Sequence, residues 1–235
     1  MKDAVIRLCR EQDSFAAIAA VAAEPDPLAA TRFFHEIMRD LYWKEKDLPA
    51  AIAFGRAGLQ HGLFAAASID ASNPTLAIEI RSAAKGMAYD LASFTWDGWD
   101  EKGIAITRSD LEIGLDAAKT NLRLAQELKK DDLPLARAHW MLGAQQLSAG
   151  AYDSAIASFQ RSVEFARATH SEGDELLARG DIAIVNLCRS EGTDGAAALE
   201  QVKSQLANIK EGEFFIEQLD TALRVFLKAT GSAPT

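Results

Sequence analysis

Residues 136–169 read ARAHWMLGAQQLSAGAYDSAIASFQRSVEFARAT and carry a helical pattern on each side of a short run of small residues. The first half contains Leu142 and Gly143, and a glycine allows a second helix to approach closely. The second half carries aromatic, apolar and small residues at the spacing of one helix face: Tyr152, Ala155, Phe159, Ser162 and Val163. The segment therefore predicts two antiparallel helices that cross at Gly143.

The same segment resembles a tetratricopeptide repeat. Leu142 and Gly143 match the Leu-Gly pair of the family's first helix, and Tyr152, Ala155, Phe159 and Ser162 match the Tyr, Ala, Phe and small positions of its second helix. The match is incomplete. Arg167 stands near the family's terminal proline, Trp140 is displaced by one residue from its tryptophan, and Gln146 replaces its first-helix tyrosine.

Three further segments repeat parts of this pattern with irregular spacing. Residues 31–64 carry a first-helix stripe, with Met38 in place of the family's glycine, and then a small-aromatic-small spacing: Phe34, Ile37, Leu41, Ala50, Phe54 and Ala57. Residues 78–129 combine a Gly-to-Tyr spacing with an alanine-rich second helix: Gly86, Tyr89, Ala118, Leu122 and Ala125. Residues 173–208 place Gly180 in the crossing position.

The resemblance implies an all-α fold, a right-handed α-α superhelix of about four helical hairpins. Helices at 2–23 and 212–229 are expected to cap its two ends, because terminal repeats must hide an apolar face. We expect residues 1–230 to form a single helical domain and residues 231–235 to form a flexible tail.

Composition and periodicity predict helices without reference to the family. Alanine, the strongest helix former, accounts for 44 of the 235 residues. Apolar residues recur three and four positions apart, strand-like alternation is essentially absent, and residues 95–107 form one irregular stretch. The predicted helices are 2–23, 27–45, 48–67, 74–95, 107–129, 133–149, 151–169, 171–189, 194–208 and 212–229.

The charge and the cysteine content exclude several functional classes. A net charge of −9 and an isoelectric point near 5.0 oppose general binding to nucleic acid and to anionic membranes. The chain has no apolar run of membrane-spanning length. Cys9 and Cys188 lie far apart in apolar helical patterns, which favours reduced thiols in a cytoplasmic protein over a zinc or redox motif.

A tetratricopeptide array typically binds protein segments on the concave surface lined by its first helices. The resemblance implies that role for inward-facing positions here: His35, Arg39, Tyr42, Met87, Asp90, Arg137, Trp140 and Leu147, with Leu177 and Asp181 in the fourth hairpin. Trp140 is the leading anchor, because an aromatic side chain provides a large contact area at low entropic cost. The alternative is that Trp140 packs in the core.

Trp96 and Trp99 lie three residues apart in an acidic, glycine-containing loop. The loop is either a ligand-contacting lid beside the groove or a structural staple in which the indoles hold a long connection onto the helices. Both tryptophans are partner-binding candidates.

The sequence contains no nucleophile, phosphate-binding or metal-binding motif, so we expect no enzyme activity, catalytic residue, metal or cofactor. The leading hypothesis is a cytoplasmic, bacterial-type scaffold that binds a protein or peptide. One alternative is a small-molecule sensor or helical enzyme whose pocket is closed by the Trp96–Trp99 loop, with convergent polar groups such as Tyr89, Arg108 or His139. Another is a homo-oligomer formed through Phe214, Phe215 and Phe226.

Overall fold

The computed structural model describes residues 1–189 and 194–229, and every regular element within these ranges is helical. The α-helices are α1 (Lys2–Glu11), α2 (Ser14–Ala22), α3 (Pro27–Trp43), α4 (Leu48–Ile69), α5 (Pro74–Phe94), α6 (Arg108–Glu127), α7 (Asp132–Ser148), α8 (Tyr152–Ala168), α9 (Glu172–Cys188), α10 (Asp194–Leu206) and α11 (Gly212–Ala229). A single 3₁₀ turn, Asp97–Trp99, interrupts the connection between α5 and α6. The predicted all-α fold is confirmed.

The helix boundaries follow the prediction closely except near the N-terminus. One helix was expected over 2–23, but the chain forms two, α1 and α2, which are separated at Asp13. The Asp13 carboxylate accepts a hydrogen bond of 2.8 Å from the backbone N–H of Ala16, so it caps a new helix instead of extending the first. The tail predicted at 231–235 lies outside the described residues.

Capping side chains begin the next helices where the sequence indicates. Asp26 accepts a hydrogen bond of 2.9 Å from the backbone N–H of Leu28, and Pro27 occupies the first turn of α3. Asp47 and Asn73 cap α4 and α5 in the same way, each with a proline in the first turn. Each cap satisfies a backbone N–H that the first turn of a helix leaves unpaired, and so fixes where the helix starts.

The helices pack as four successive hairpins, α3/α4, α5/α6, α7/α8 and α9/α10, and each second helix also packs on the first helix of the next hairpin. The first helices contact one another from hairpin to hairpin, as α3 with α5, α5 with α7 and α7 with α9. Within the described ranges the second helices make no comparable contacts with one another. The first helices are therefore the more closely spaced layer and form the inner side of an all-α helical-repeat solenoid.

Glycines lie where these helices approach most closely. A Cβ atom on Gly143 of α7 would lie 2.8 Å from the ring of Phe159 of α8, which confirms the crossing predicted there. The assignment of Gly180 to a crossing with its own second helix is wrong, since a Cβ atom there would meet Leu219 of α11 at 2.6 Å. At Gly86 there is room for a side chain, because an added Cβ atom would lie 3.7 Å from the nearest neighbouring atom, on the His35 ring.

Helices cover both ends of the stack. At the N-terminal end α2 packs on α3 and α4, and at the other end α11 packs on α9 and α10. Helix α11 also reaches the 3₁₀ turn after α5, so it extends from the last hairpin across the inner layer. No helix in the described part of the chain combines the length and the apolar character needed to cross a membrane.

Candidate functional site

Side chains of the first helices α3, α5, α7 and α9 and of α11 line a surface that we call the inner groove. Its larger cavity, which we call the aromatic pocket, has a volume of about 520 Å³ and lies between the ends of α3 and α5, the α5–α6 connection and α11. The lining is mainly aromatic and acidic: Tyr42, Trp43, Ser93, Phe94, Trp99, Glu101, Phe214, Glu217, Gln218 and Thr221.

The wall of the aromatic pocket is a set of rings in mutual contact. Tyr42 and Phe94 stack with their ring centroids 3.9 Å apart, and Trp43 meets Tyr42 edge to face at 4.8 Å. Tyr42 is buried, and this burial, reinforced by the charge of Glu101, raises its pKa to about 12. Trp43 is 50% exposed, so it presents a rigidly supported indole to solvent.

A cation from the chain itself lies at the edge of this pocket. The Lys46 ammonium forms an ion pair with Glu101, with Nζ 2.8 Å from Oε1. The same Nζ lies 5.3 Å from the centroid of the Trp43 ring and 5.8 Å from that of Tyr42, within the range of cation–π interaction. This edge of the pocket therefore already accommodates a primary ammonium group.

A second cavity of about 350 Å³ lies further along the inner groove, under the start of α11. It is lined by aromatic, apolar and paired polar residues: Tyr89, Trp99, Arg137, Trp140, Ser162, Asp174, Leu177, Glu211, Phe214, Phe215 and Gln218. Trp99, Phe214 and Gln218 line both cavities, so these three side chains separate them.

Polar groups in the second cavity are held in fixed partnerships. Arg137 forms an ion pair with Asp174 at 3.0 Å between Nε and Oδ1, and this hydrogen bond raises the pKa of Arg137. Burial raises the pKa of Tyr89 to about 12, which keeps its hydroxyl neutral. The predicted candidate Arg137 is therefore present in the groove, but its charge is partly neutralised.

The two tryptophans of the α5–α6 connection occupy different positions. Trp96 is buried, with its ring centroid 4.7 Å from Trp99, 5.5 Å from Trp140 and 6.2 Å from Phe226. Trp99 is only partly buried, and its Nε1 donates a 3.0 Å hydrogen bond to the backbone oxygen of Ser93. Trp96 thus anchors the connection to the core, whereas Trp99 lines both cavities.

Trp140 joins the second cavity to a buried carboxyl group. Its Nε1 donates a hydrogen bond of 2.7 Å to Oδ2 of Asp181, which is 1% exposed. Burial raises the pKa of Asp181 to about 7, although the hydrogen bond from Trp140 acts in the opposite direction. Trp140 is buried in the core and also contributes to the lining of the second cavity.

The remaining candidates divide between a polar cluster and the core. Oδ2 of Asp90 lies 2.8 Å from Nε2 of His35 and 3.6 Å from Nε of Arg39, outside the linings of both cavities. Met87 and Leu147 are buried in the core. Both were predicted to face a partner in the groove. The family register placed them there, but in this chain these positions face the neighbouring helices and pack in the core.

The polar groups expected for a small-molecule pocket do not converge. Tyr89 lines the second cavity, but the side chain of Arg108 is 93% exposed at the start of α6, and the ring of His139 stacks on Phe165.

Most of the residues considered for self-assembly pack against other residues of the same chain. Phe226 is buried and Phe215 packs over Gly173, while Phe214 is 61% exposed.

Sequence reasoning missed the contributions of Trp43, Glu217 and Gln218. Trp43 directly follows the predicted candidate Tyr42, and such an aromatic pair at the end of a helix was a usable signal. Glu217 and Gln218 belong to α11, and the sequence contains no indication that this helix lies over the groove.

The chain matches no protein-family model, and comparison with curated proteins found no match. Among residues 1–189 and 194–229, no group of three or more His, Cys, Asp or Glu side chains is arranged to hold a metal ion.

Proposed function

We propose that this protein is a non-catalytic scaffold that binds a protein or peptide segment in the inner groove. It is a cytoplasmic protein of bacterial type, built from tetratricopeptide-like repeats. The observation that carries the proposal is α11, a helix of the same chain that packs on α9 and on the 3₁₀ turn. It shares two cavities with the first helices, one on each side of Phe214. An amphipathic helix placed in an apolar groove is a recurring mode of peptide recognition.

The size and chemistry of the cavities support this mode. Volumes of about 520 and 350 Å³ lie within the range of ligand pockets. Aromatic side chains are enriched among the residues that dominate binding energy, and here Trp43, Trp99 and Phe214 are at least partly accessible. These side chains offer anchor sites for a helix or an extended segment that lies beside α11.

The scaffold is preferred over the enzyme or sensor because of the polar groups in the groove. Tyr89 is kept neutral, Arg137 is paired with Asp174, and Asp181 is buried behind Trp140. None of these contacts places a nucleophile beside a base, which acyl or group transfer requires.

A peptide-display selection on the full chain tests the proposal. Peptides selected on the wild type should bind Trp43→Ala about tenfold or more weakly, because truncating an aromatic anchor removes its contact area. Phe64→Ala is the matched control, since Phe64 is a 74% exposed aromatic residue on α4, away from the groove. Failure to select any peptide, or equal weakening by both substitutions, would refute the proposal.

A further inference from the structure

We infer that the aromatic pocket binds the cationic end of a lysine or arginine side chain of the partner peptide. This inference rests on the proposed function, since it specifies the chemistry of one residue of that peptide. It is carried by three independent features of the pocket, namely its rings, its charge and the cation that already lies at its edge.

The rings provide surfaces that attract a cation. A positive charge within about 6 Å of an aromatic centroid is attracted by the negative face of the ring, most strongly for tryptophan. Trp43, Phe94 and Trp99 all line the pocket, and Trp43 is the most exposed of them. Because the stacked Tyr42–Phe94 pair supports Trp43, binding requires little ordering of the wall.

The charged side chains that line the pocket are both carboxylates. Its lining contains the carboxylates Glu101 and Glu217 and no lysine or arginine. Glu217 has no ion-pair partner within the described residues and lines the pocket from α11, whereas Glu101 lines it from the α5–α6 connection and pairs with Lys46. Carboxylates together with aromatic faces favour an alkyl chain that ends in a cation and disfavour an acidic side chain.

Lys46 marks the binding mode. Its ammonium contacts both kinds of group at once, because it pairs with Glu101 and lies over the Trp43 and Tyr42 rings. Lys46 does not line the pocket. It belongs to the turn after α3, where its backbone adopts the left-handed conformation with φ 53°, and its side chain reaches the edge of the pocket. The incoming cation forms ion pairs with Glu101 and Glu217. The ammonium of Lys46 then loses its ion pair with Glu101 and moves into solvent.

This exchange makes Lys46 an internal competitor, which gives the inference a distinctive test. Removing the Lys46 side chain should strengthen binding of an external cation by about three- to tenfold, because Glu101 is then unpaired. Lys44→Ala is the matched control, since Lys44 is a lysine at the same end of α3 that pairs with Asp40 instead. A structural role for Lys46 alone predicts no such gain.

The first probe is N-acetyl-lysine methylamide, followed by NMR through the indole N–H signals of Trp43 and Trp99 in the full-length protein. It should shift both signals at millimolar concentration, whereas N-acetyl-norleucine methylamide, which has the apolar stem without the ammonium, should not. The shift should occur at lower concentration in Lys46→Ala and be lost in the double variant Glu101→Gln/Glu217→Gln. Equal shifts from both probes, or none from the lysine derivative, would overturn the inference.

The display selection separates this inference from the proposed function. Selected peptides should be enriched in lysine or arginine and should bind Lys46→Ala more tightly than Lys44→Ala. Peptides that require Trp43 but contain no basic residue would leave the scaffold function intact and disprove the cation site. If no peptide is selected, the proposed function fails even where the lysine derivative binds.

Discussion

Asp181 is the residue whose environment most strongly opposes its charge. Burial raises its pKa to about 7, and the one hydrogen bond from Trp140 only partly opposes that effect. An unfolded aspartate has a pKa near 3.9. Between about pH 4 and pH 7 the native chain therefore holds a proton that the unfolded chain has released, so the free energy of unfolding falls as pH rises through this range.

Asp181→Asn should remove this dependence. The amide oxygen can still accept the hydrogen bond from Trp140 and carries no charge, so the variant should exceed the wild type in stability at pH 8 by up to about 4 kcal/mol. The difference should fall to about 1.5 kcal/mol at pH 5, which is about one unit above the unfolded pKa, and urea unfolding at the two pH values measures it. Asp116→Asn on the exposed face of α6 is the control. A gain that does not change with pH would contradict the assignment.

Two glycines in first helices should respond in opposite directions to alanine. At Gly86 the nearest atom to an added Cβ is 3.7 Å away, so Gly86→Ala should raise stability by up to about 1 kcal/mol through helix propensity. At Gly143 the added atom would lie 2.8 Å from Phe159, so Gly143→Ala should lower stability by about 1–3 kcal/mol. Urea unfolding of both variants tests the pair, and a shared sign would contradict it.

At the scale of the element, local chemistry was sufficient to predict where most helices begin. Asp26, Asp47 and Asn73 each precede a proline in the first turn and cap the helix, a combination that can be read from the sequence. The break at Asp13 was missed because apolar spacing continues on both sides of it, although an aspartate followed by Ser14 is also a capping signal. The spacing of apolar residues shows which face of a helix is buried, but it does not reveal a break of only two residues between two consecutive helices.

The position of α11 shows what periodicity leaves open. Its apolar residues predict a buried face, yet the places on α9 where Phe215 and Leu219 pack are Gly173 and Gly180, about two helical turns apart. A glycine without a side chain accommodates any close neighbour, so Gly180 was assigned to the wrong helix. The groove candidates on α3 and α7 were predicted from repeat register, whereas the cover supplied by α11 depends on long-range packing.

Two phenylalanines of α11 should separate its packing role from its accessible face. Phe226 is buried and lies beside Trp96, so Phe226→Ala should cost about 3–5 kcal/mol and shift the tryptophan emission to longer wavelength as water reaches the indole. Phe214→Ala should stay within about 0.5 kcal/mol of the wild type, because that ring is 61% exposed. Thermal unfolding monitored by fluorescence checks both, and a comparable loss in Phe214→Ala would contradict this placement.

At the scale of the whole molecule, α11 changes how the repeats are coupled. In a solenoid each repeat contacts mainly its neighbours, so a local defect weakens adjacent units most. Here α11 links the last hairpin to the segment between α5 and α6, through the Arg224–Asp100 ion pair and the contact of Phe226 with Trp96.

Near the N-terminal end a smaller apolar cluster is separate from the main core: Leu28, Ala66, Ala77 and Ile80.

This connection predicts an uneven hydrogen-exchange pattern. Phe226→Ala should speed exchange in α9 and α11 and also in residues 95–107, which are distant in sequence, because their shared aromatic contact is lost. Exchange in α3 and the first half of α4 should be unchanged. Ile80→Val, which creates a small cavity in the separate cluster, should speed exchange only around that cluster, in α4, α5 and the first turn of α3. If Phe226→Ala affects α9 and α11 alone, the ends of α11 are not energetically coupled and the solenoid behaves as a nearest-neighbour array.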